Sequence, residues 1–191
     1  MKPNVLGLVA GILTLFLPFA GFWWRASLGE IAIIKLSPFG YDVTILGESL
    51  SSTLVSYLLF GVLVSVFLGG VLLVIGSLFT DKWWSGRLVR FGATKVLWSA
   101  VSLICTLVIA ASIFNRMVPS LAKRDDRLQF SIPYLSGSST VEISSGDVEV
   151  RIPLRLSFTW VFWLALATGI LGLVARMVQG KLEPVKSHRE G

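Results

Sequence analysis

Two kinds of hydrophobic pattern alternate along this chain: long unbroken apolar runs, and shorter stretches in which every second residue is apolar. The clearest alternating stretch is residues 127–156. Successive side chains of a strand point to opposite faces, so this pattern predicts three antiparallel strands with one apolar and one polar face. Turn-forming residues stand at the two breaks, Ser136-Gly137-Ser138 and Ser145-Gly146-Asp147.

A second alternating stretch lies at residues 27–48. Its apolar positions are separated by the turn sequence Ser-Pro-Phe-Gly at 37–40. This arrangement is typical of a β-hairpin. Together the two stretches predict about five strands. The apolar positions of the hairpin are Ile31, Ile33, Tyr41, Val43 and Ile45.

Four apolar runs accompany these strands, and each is close to or above the roughly 20 residues that span a bilayer as a helix. The fold class predicted is therefore an integral membrane four-helix bundle with a small extracellular antiparallel sheet. The predicted transmembrane helices are residues 5–24, 50–79, 88–114 and 158–178. The predicted connections are the outer hairpin 27–48, a cytoplasmic loop 80–87, the outer β segment 116–156 and a disordered cytoplasmic tail 179–191.

Positive charge marks one side of these helices. Lys2, the loop 80–87 and the tail from Lys181 carry lysine and arginine, and Arg87, Arg90 and Lys95 crowd the predicted start of the third helix. By the positive-inside rule this side is the cytoplasm, which places both termini inside and both β segments outside. A cleaved signal peptide is the alternative for the first run. Aromatic anchors at the interface are predicted at Trp23, Trp24, Trp83, Trp84, Trp160 and Trp163.

Composition supports a membrane protein. Of 191 residues, 54% are hydrophobic and 15% are charged, against about 25% charged in soluble domains. The net charge of +6 lies at the ends of apolar runs, so nucleic acid is not expected as a partner. Cys105 is the single cysteine, and no Asn-x-Ser/Thr site occurs. This favours a prokaryotic cell-membrane protein.

Small residues recur at four-residue spacing in the predicted helices. Such residues let helix backbones approach closely in lipid. We interpret them as packing positions inside the bundle, with oligomerisation through Gly7 and Gly11 as the alternative. The positions are Gly7, Gly11, Gly61, Ser65, Gly69, Thr168 and Gly172.

Catalytic chemistry is not indicated. No apolar run carries an ionisable residue near its predicted centre, which argues against proton-coupled transport. The one histidine, His188, lies in the tail, so we expect no haem, no histidine zinc site and no cofactor. The protein is predicted not to be an enzyme, with a membrane enzyme using outer carboxylates as a remote alternative. Charged residues that could form an outer interaction site are Lys123, Arg124, Asp125, Asp126, Arg127, Glu149 and Arg151.

Four spans, internal termini and an outer sheet built from two loops resemble the claudin-like tetraspan architecture, which includes junction proteins and auxiliary channel subunits. The resemblance is one of topology. The family's outer signature is a tryptophan and Gly-Leu-Trp followed by two cysteines. Here Trp23-Trp24 precedes the first strand, and neither Gly-Leu-Trp nor a cysteine pair follows. The resemblance implies a non-catalytic membrane protein, and it identifies no functional residue.

Two functions are predicted from these patterns. The first is a non-catalytic tetraspan protein whose outer sheet docks a second copy or another membrane subunit, with strand addition at edges near residues 27–36 and 148–156. The alternative is a channel, or a transporter of lipid or small molecules, with a neutral path beside the glycines of the second helix. In either case we expect membrane lipids and a homo-oligomer or membrane-protein complex as partners.

Overall fold

The structure is a computed structural model, and it describes residues 3–122, 128–129, 133–145 and 148–182. The helices are α1 Val5–Phe16, α2 Thr53–Leu78, α3 Ser85–Ala122 and α4 Trp160–Leu182. The strands are β1 Trp24–Leu28, β2 Ala32–Ser37, β3 Gly40–Ile45, β4 Glu48–Leu50, β5 Leu128–Gln129, β6 Gly137–Ser145 and β7 Val148–Phe158.

The chain divides into two compact units, which we describe separately. The helical unit consists of Met1–Gly21, Gly61–Ser99 and Leu164–Gly191. The sheet unit consists of Phe22–Phe60 and Ala100–Trp163. The elements α2, α3 and α4 each contribute residues to both units.

Three helices, α2, α3 and α4, are long and apolar enough to cross a membrane, which indicates a membrane-associated protein. The first helix is shorter than the predicted 5–24. It ends at Phe16 and is followed by one 3-10 turn, Leu17–Phe19. Pro18 lacks the N–H that would continue the helix. Gly21 then takes a φ of +118°, a backbone conformation that favours glycine.

Other predicted bounds also change, most of all the end of the third helix, which lies at Ala122 rather than at residue 114. The predicted tail began at residue 179, but α4 continues to Leu182. The third helix begins at Ser85, three residues before its predicted start. In these places the structure has regular helix where the charged residues had led us to predict a loop or tail.

The seven strands form one antiparallel sheet in the order β4-β3-β2-β1-β7-β6-β5. Both predicted β segments join it, through pairing of β1 with β7. The sheet has more strands than the predicted five, partly because the chain turns back once more after β3. At that turn Leu46 and Gly47 both have positive φ, and β4 follows.

The predicted strand-addition edge near residues 27–36 is wrong, whereas the one near residues 148–156 is only partly covered. Residues 27–36 include parts of β1 and β2, and residues 148–156 belong to β7. Strands β1 and β2 have neighbours on both sides, so their backbone groups are already used. Strand β7 pairs with β1 only over Leu154–Phe158, and its residues 148–153 pair with β6 alone. The outer strands of the described sheet are β4, with three residues, and β5, with two. Short edge strands of this kind offer little backbone for pairing.

The sheet has an apolar face and a polar face, as the alternation predicts. The register places Trp24 opposite Leu36, and Ala26 opposite Ile34 and Leu156, on the apolar face. The opposite face carries Arg25 beside Lys35, which pairs with Asp42. Lys35 Nζ and Asp42 Oδ2 are 2.7 Å apart, in a half-exposed salt bridge.

Backbone-to-backbone contact between α2 and α3 depends on glycine in the helical unit. A Cβ added at Gly92 would meet the carbonyl oxygen of Gly69, and it would lie 2.8 Å from the Cβ of Leu73. A Cβ at Gly76 would lie 2.9 Å from the Ser85 carbonyl oxygen. These distances are shorter than van der Waals contact, so the two helices can approach this closely only without side chains.

A buried polar network joins all four helices of this unit. The Asn4 side chain donates from Nδ2 to the Ala175 carbonyl (2.8 Å) and to Gln179 Oε1 (3.1 Å). Gln179 Nε2 in turn donates to Ser85 Oγ at 2.9 Å. The backbone N–H of Asn4 donates to the carbonyl of Ser77 at 2.9 Å. Asn4, Ser85 and Gln179 are almost completely buried, so these bonds satisfy groups that water does not reach.

We predict that Gly92→Ala destabilises the protein by about 1–3 kcal/mol, because an overpacked contact forces backbone movement. Gly61→Ala is the matched control, since a Cβ there meets nothing within 4 Å. The measurement is unfolding in a detergent titration. Equal stability of the two variants would contradict the close contact.

We predict that Gln179→Leu lowers the stability by about 1–3 kcal/mol, because Asn4 and Ser85 lose a partner while staying buried. Met177→Leu on the exposed side of α4 is the control. Thermal unfolding followed by circular dichroism gives the comparison. A melting temperature as high as that of the control would show that the network contributes nothing.

Candidate functional site

The predicted packing residues lie in the helical unit, and most are buried there. An added Cβ at Gly7 would meet the side chain of Ser77, and one at Gly11 would meet Val74. Thr168 is buried and bonds within its own helix. Gly69 and Gly172 face α3, whereas Gly61 faces open space and Ser65 is half-buried.

The predicted aromatic anchors separate into two groups. Trp83, Trp160 and Trp163 are well exposed, and Trp84 is half-buried. Trp23 and Trp24 are buried, so they are not surface anchors as predicted. The ring of Trp23 makes edge contacts with Phe39 (5.5 Å between centroids) and Phe162 (6.2 Å). Both tryptophans therefore belong to the interior of the sheet unit.

The predicted outer charge cluster is not assembled within the described residues. Its members Lys123, Arg124, Asp125, Asp126 and Arg127 lie outside them, and so does the side chain of Glu149. Arg151 is exposed on β7, where the register pairs it with Glu142. This part of the prediction is not tested.

A concave feature lies in the sheet unit, between the apolar face of the sheet and α3. It is a cavity of about 360 Å³. The sheet supplies one wall from β1, β2 and β7, and α3 supplies the other. The lining residues are Trp24, Ala26, Leu28, Ala32, Ile34, Leu36, Leu107, Ala110, Ala111, Phe114, Pro133, Tyr134, Leu154 and Leu156.

The sequence explains why space remains between these walls. Alanines occupy inward positions on both sides: Ala26 and Ala32 on the sheet, and Ala110 and Ala111 on the helix. Larger residues such as Trp24 and Phe114 stand around them and hold the walls apart. Protein interiors are normally packed without voids larger than a water molecule. A space of this size is therefore a feature of the fold rather than ordinary packing.

The cavity opens to the outside at two aromatic residues. Phe114 and Tyr134 line it and are 54% and 55% exposed. The segment that carries Tyr134 is held by a tryptophan, since Trp24 Nε1 donates to the Leu135 carbonyl oxygen at 2.8 Å. A single hydrogen bond thus connects Trp24, which lines the cavity, to the segment at the cavity opening.

The chemistry of the cavity is that of a binding site for an apolar group. The described residues that line it include no Asp, Glu, Lys, Arg or His, and the indole N–H of Trp24 is already used. A polar ligand would lose its bonds to water there without replacement. Within the part of the chain that the structure describes, no group of three or more His, Cys, Asp or Glu side chains could hold a metal.

One charged residue lies deeper in a helix than predicted. Lys95 was placed near the start of the third helix, but α3 begins at Ser85 and Lys95 is ten residues further on. Its Nζ lies 3.2 Å from Ser65 Oγ on α2 and 4.2 Å from the centroid of the Phe91 ring. Lys95 is the eleventh of the 32 residues in the candidate span Ser85–Arg116, so the prediction that no span has an ionisable residue near its centre stays a prediction. The sequence places Lys95 well inside the third helix once that helix is counted from Ser85 instead of from residue 88.

Comparison with known proteins does not identify the chain. No protein-family model matches it, and no curated protein matches it. The function must therefore be argued from the cavity and from the charged and polar side chains themselves.

We predict that Trp24→Phe keeps an aromatic ring in the cavity wall but makes the segment around Tyr134 more mobile, because the hydrogen bond to Leu135 is lost. Backbone amides near Tyr134 should exchange about five- to ten-fold faster, the effect of losing about 1 kcal/mol. Trp160→Phe, at an exposed tryptophan, is the control. Hydrogen exchange read by mass spectrometry measures both, and unchanged protection near Tyr134 in Trp24→Phe would contradict the tether.

Proposed function

We propose that this is a non-catalytic membrane protein that binds lipid, with one acyl chain held between the sheet and α3. The observation that carries the proposal is the uniformly apolar cavity of about 360 Å³. Its volume is within the usual range for ligand sites, about 300–1,000 Å³. At roughly 30 Å³ for each small group, as for water in the liquid, the space holds on the order of twelve methylenes.

The position of the cavity along the chain supports a lipid over a soluble ligand. Its helical wall, Leu107 to Phe114, lies within the candidate span Ser85–Arg116. A membrane would bring acyl chains to this wall at high local concentration. A chain that moves there from the bilayer gains little from the hydrophobic effect, since it is apolar in both places. It gains the dispersion contacts that an empty cavity lacks.

The proposal includes a topology. The sheet unit stands on the outer side of the cell membrane and the termini lie in the cytoplasm. The supporting observation is the distribution of lysine and arginine at the opposite helix ends. In this arrangement the cavity takes lipid from the outer leaflet. The claudin-like architecture stays a proposal of the same kind, supported by topology.

Docking to another membrane protein, or to a second copy, is the second candidate function. It is favoured by the first turns of α2, where every face of the helix is exposed. Leu54 and Tyr57 are 71% and 72% exposed, and Leu58 and Phe60 are also exposed. Such a helix end contacts little else in its own chain, and either lipid or a partner covers it in a membrane.

We predict that the protein purified in mild detergent retains a lipid, and that Ala110→Phe greatly lowers the retained amount. The larger side chain fills the cavity from the α3 wall. Ile109→Phe is the matched control, because Ile109 is the preceding residue of α3, is exposed and does not line the cavity. Native mass spectrometry gives the lipid-to-protein ratio.

Two outcomes would contradict lipid binding in this cavity. One is wild-type protein that carries no lipid after gentle extraction. The other is an Ala110→Phe variant that is folded and carries as much lipid as Ile109→Phe. The same spectra report the mass of the assembly, so they also show whether copies associate.

A further inference from the structure

Lys95 is a cation inside the candidate membrane span Ser85–Arg116, ten residues from its start, and its own chain gives it little compensation. Its ammonium lies 3.2 Å from the Ser65 hydroxyl and 4.2 Å from the centroid of the Phe91 ring. Neither group carries a negative charge, and no carboxylate of the described residues bonds to Lys95. A charge at such depth is costly in lipid, and it usually has a function.

The depth follows from the helix that Lys95 reaches. Ser65 lies near the middle of α2, twelve residues from Thr53 and thirteen from Leu78. Thirteen residues of helix rise about 20 Å. Half of the hydrocarbon core is only about 15 Å thick. With α2 centred on the bilayer, the Lys95 ammonium, held at Ser65, lies deeper than the phosphates of either leaflet.

The counter-charge cannot come from a helix of a second copy. The four helices Val5–Phe16, Thr53–Leu78, Ser85–Ala122 and Trp160–Leu182 contain no Asp or Glu. A copy of this chain would therefore bring a second lysine, which would repel the first. The matching group must belong to a different molecule that carries a negative charge at the same depth.

We propose that Lys95 is the docking point for a transmembrane helix of another protein, one that carries an aspartate or glutamate near its centre. The carboxylate would accept hydrogen bonds from the Lys95 ammonium beside Ser65. A pair of opposite charges in lipid gives specificity, because a partner without the acid leaves the lysine uncompensated.

The surface around Lys95 admits a helix. Gly61 is one turn from Ser65 along α2, and a Cβ there meets nothing within 4 Å. Phe91 is about half exposed and one turn before Lys95 on α3. A small residue beside a polar one permits close approach of a second backbone, as interfaces in membranes require. Gly61 thus makes room, and Lys95 supplies the specific contact.

The test uses a designed single-span helix of leucine and alanine with one central Asp, co-expressed with the full-length protein. The fraction that co-purifies in mild detergent is measured. Wild-type protein should retain the Asp helix, and Lys95→Gln should retain about ten-fold less. A helix with central Leu, and one with Asp at its end, should not be retained. Arg90→Gln, which removes an exposed charge five residues earlier, is the matched control and should bind like wild type.

Charge reversal makes the test independent of folding defects. Lys95→Asp should lose the Asp helix and gain a helix with a central Lys. The proposal is overturned if wild type does not retain the central Asp helix, or if Lys95→Gln retains it equally. It is also overturned if Lys95→Gln instead loses only phosphatidylglycerol in native mass spectra, since Lys95 would then bind a lipid phosphate. This proposal is independent of lipid binding in the sheet unit. The Ala110→Phe variant, in which the cavity is filled, should therefore still retain the Asp helix.

Discussion

Inside a lipid bilayer the hydrophobic effect does not bring helices together, and the packing of the helical unit matches this constraint. Two interactions replace it. Glycines such as Gly92 allow backbones to touch, and the buried Asn4, Gln179 and Ser85 bond to one another across helices. The polar network also compensates for a short first helix. With only twelve residues, α1 has little surface for packing, and Asn4 attaches its beginning to α4.

The sheet unit is stabilised in a different way, because one face of its sheet is apolar and must be buried. Pairing of β1 with β7 makes one sheet out of two separate chain segments, and α3 covers part of it. The cover is incomplete where alanines face each other, and a cavity results. An apolar space that opens beside a candidate span is suited to an acyl chain, because the membrane supplies that ligand without competition from water.

The two proposals use opposite chemistry. Among the described residues that line the cavity, Tyr134 is the one ionisable group, so the cavity would select by shape and apolar surface. Lys95 carries a positive charge with no counter-charge among the described residues, so it would select a partner by electrostatic attraction. A protein that combines both would bind lipid through one unit and a membrane partner through the other.

The sequence by itself determined the element types, since alternation and apolar length are local patterns. It identified the two-faced sheet and the three helices of the described residues that are long enough to cross a membrane. It also predicted a fourth span at residues 5–24, where the structure has a helix of only 12 residues. It could also place both β segments in one sheet, because each lies between helices at the same side. Only the tertiary structure decided the strand order, the buried position of Trp23, the cavity and the contact of Lys95 with Ser65. These features depend on which distant residues meet, and the pairing of β1 with β7 joins positions about 130 residues apart. Local periodicity contains no information about such pairing, because either neighbour would bury the same apolar face.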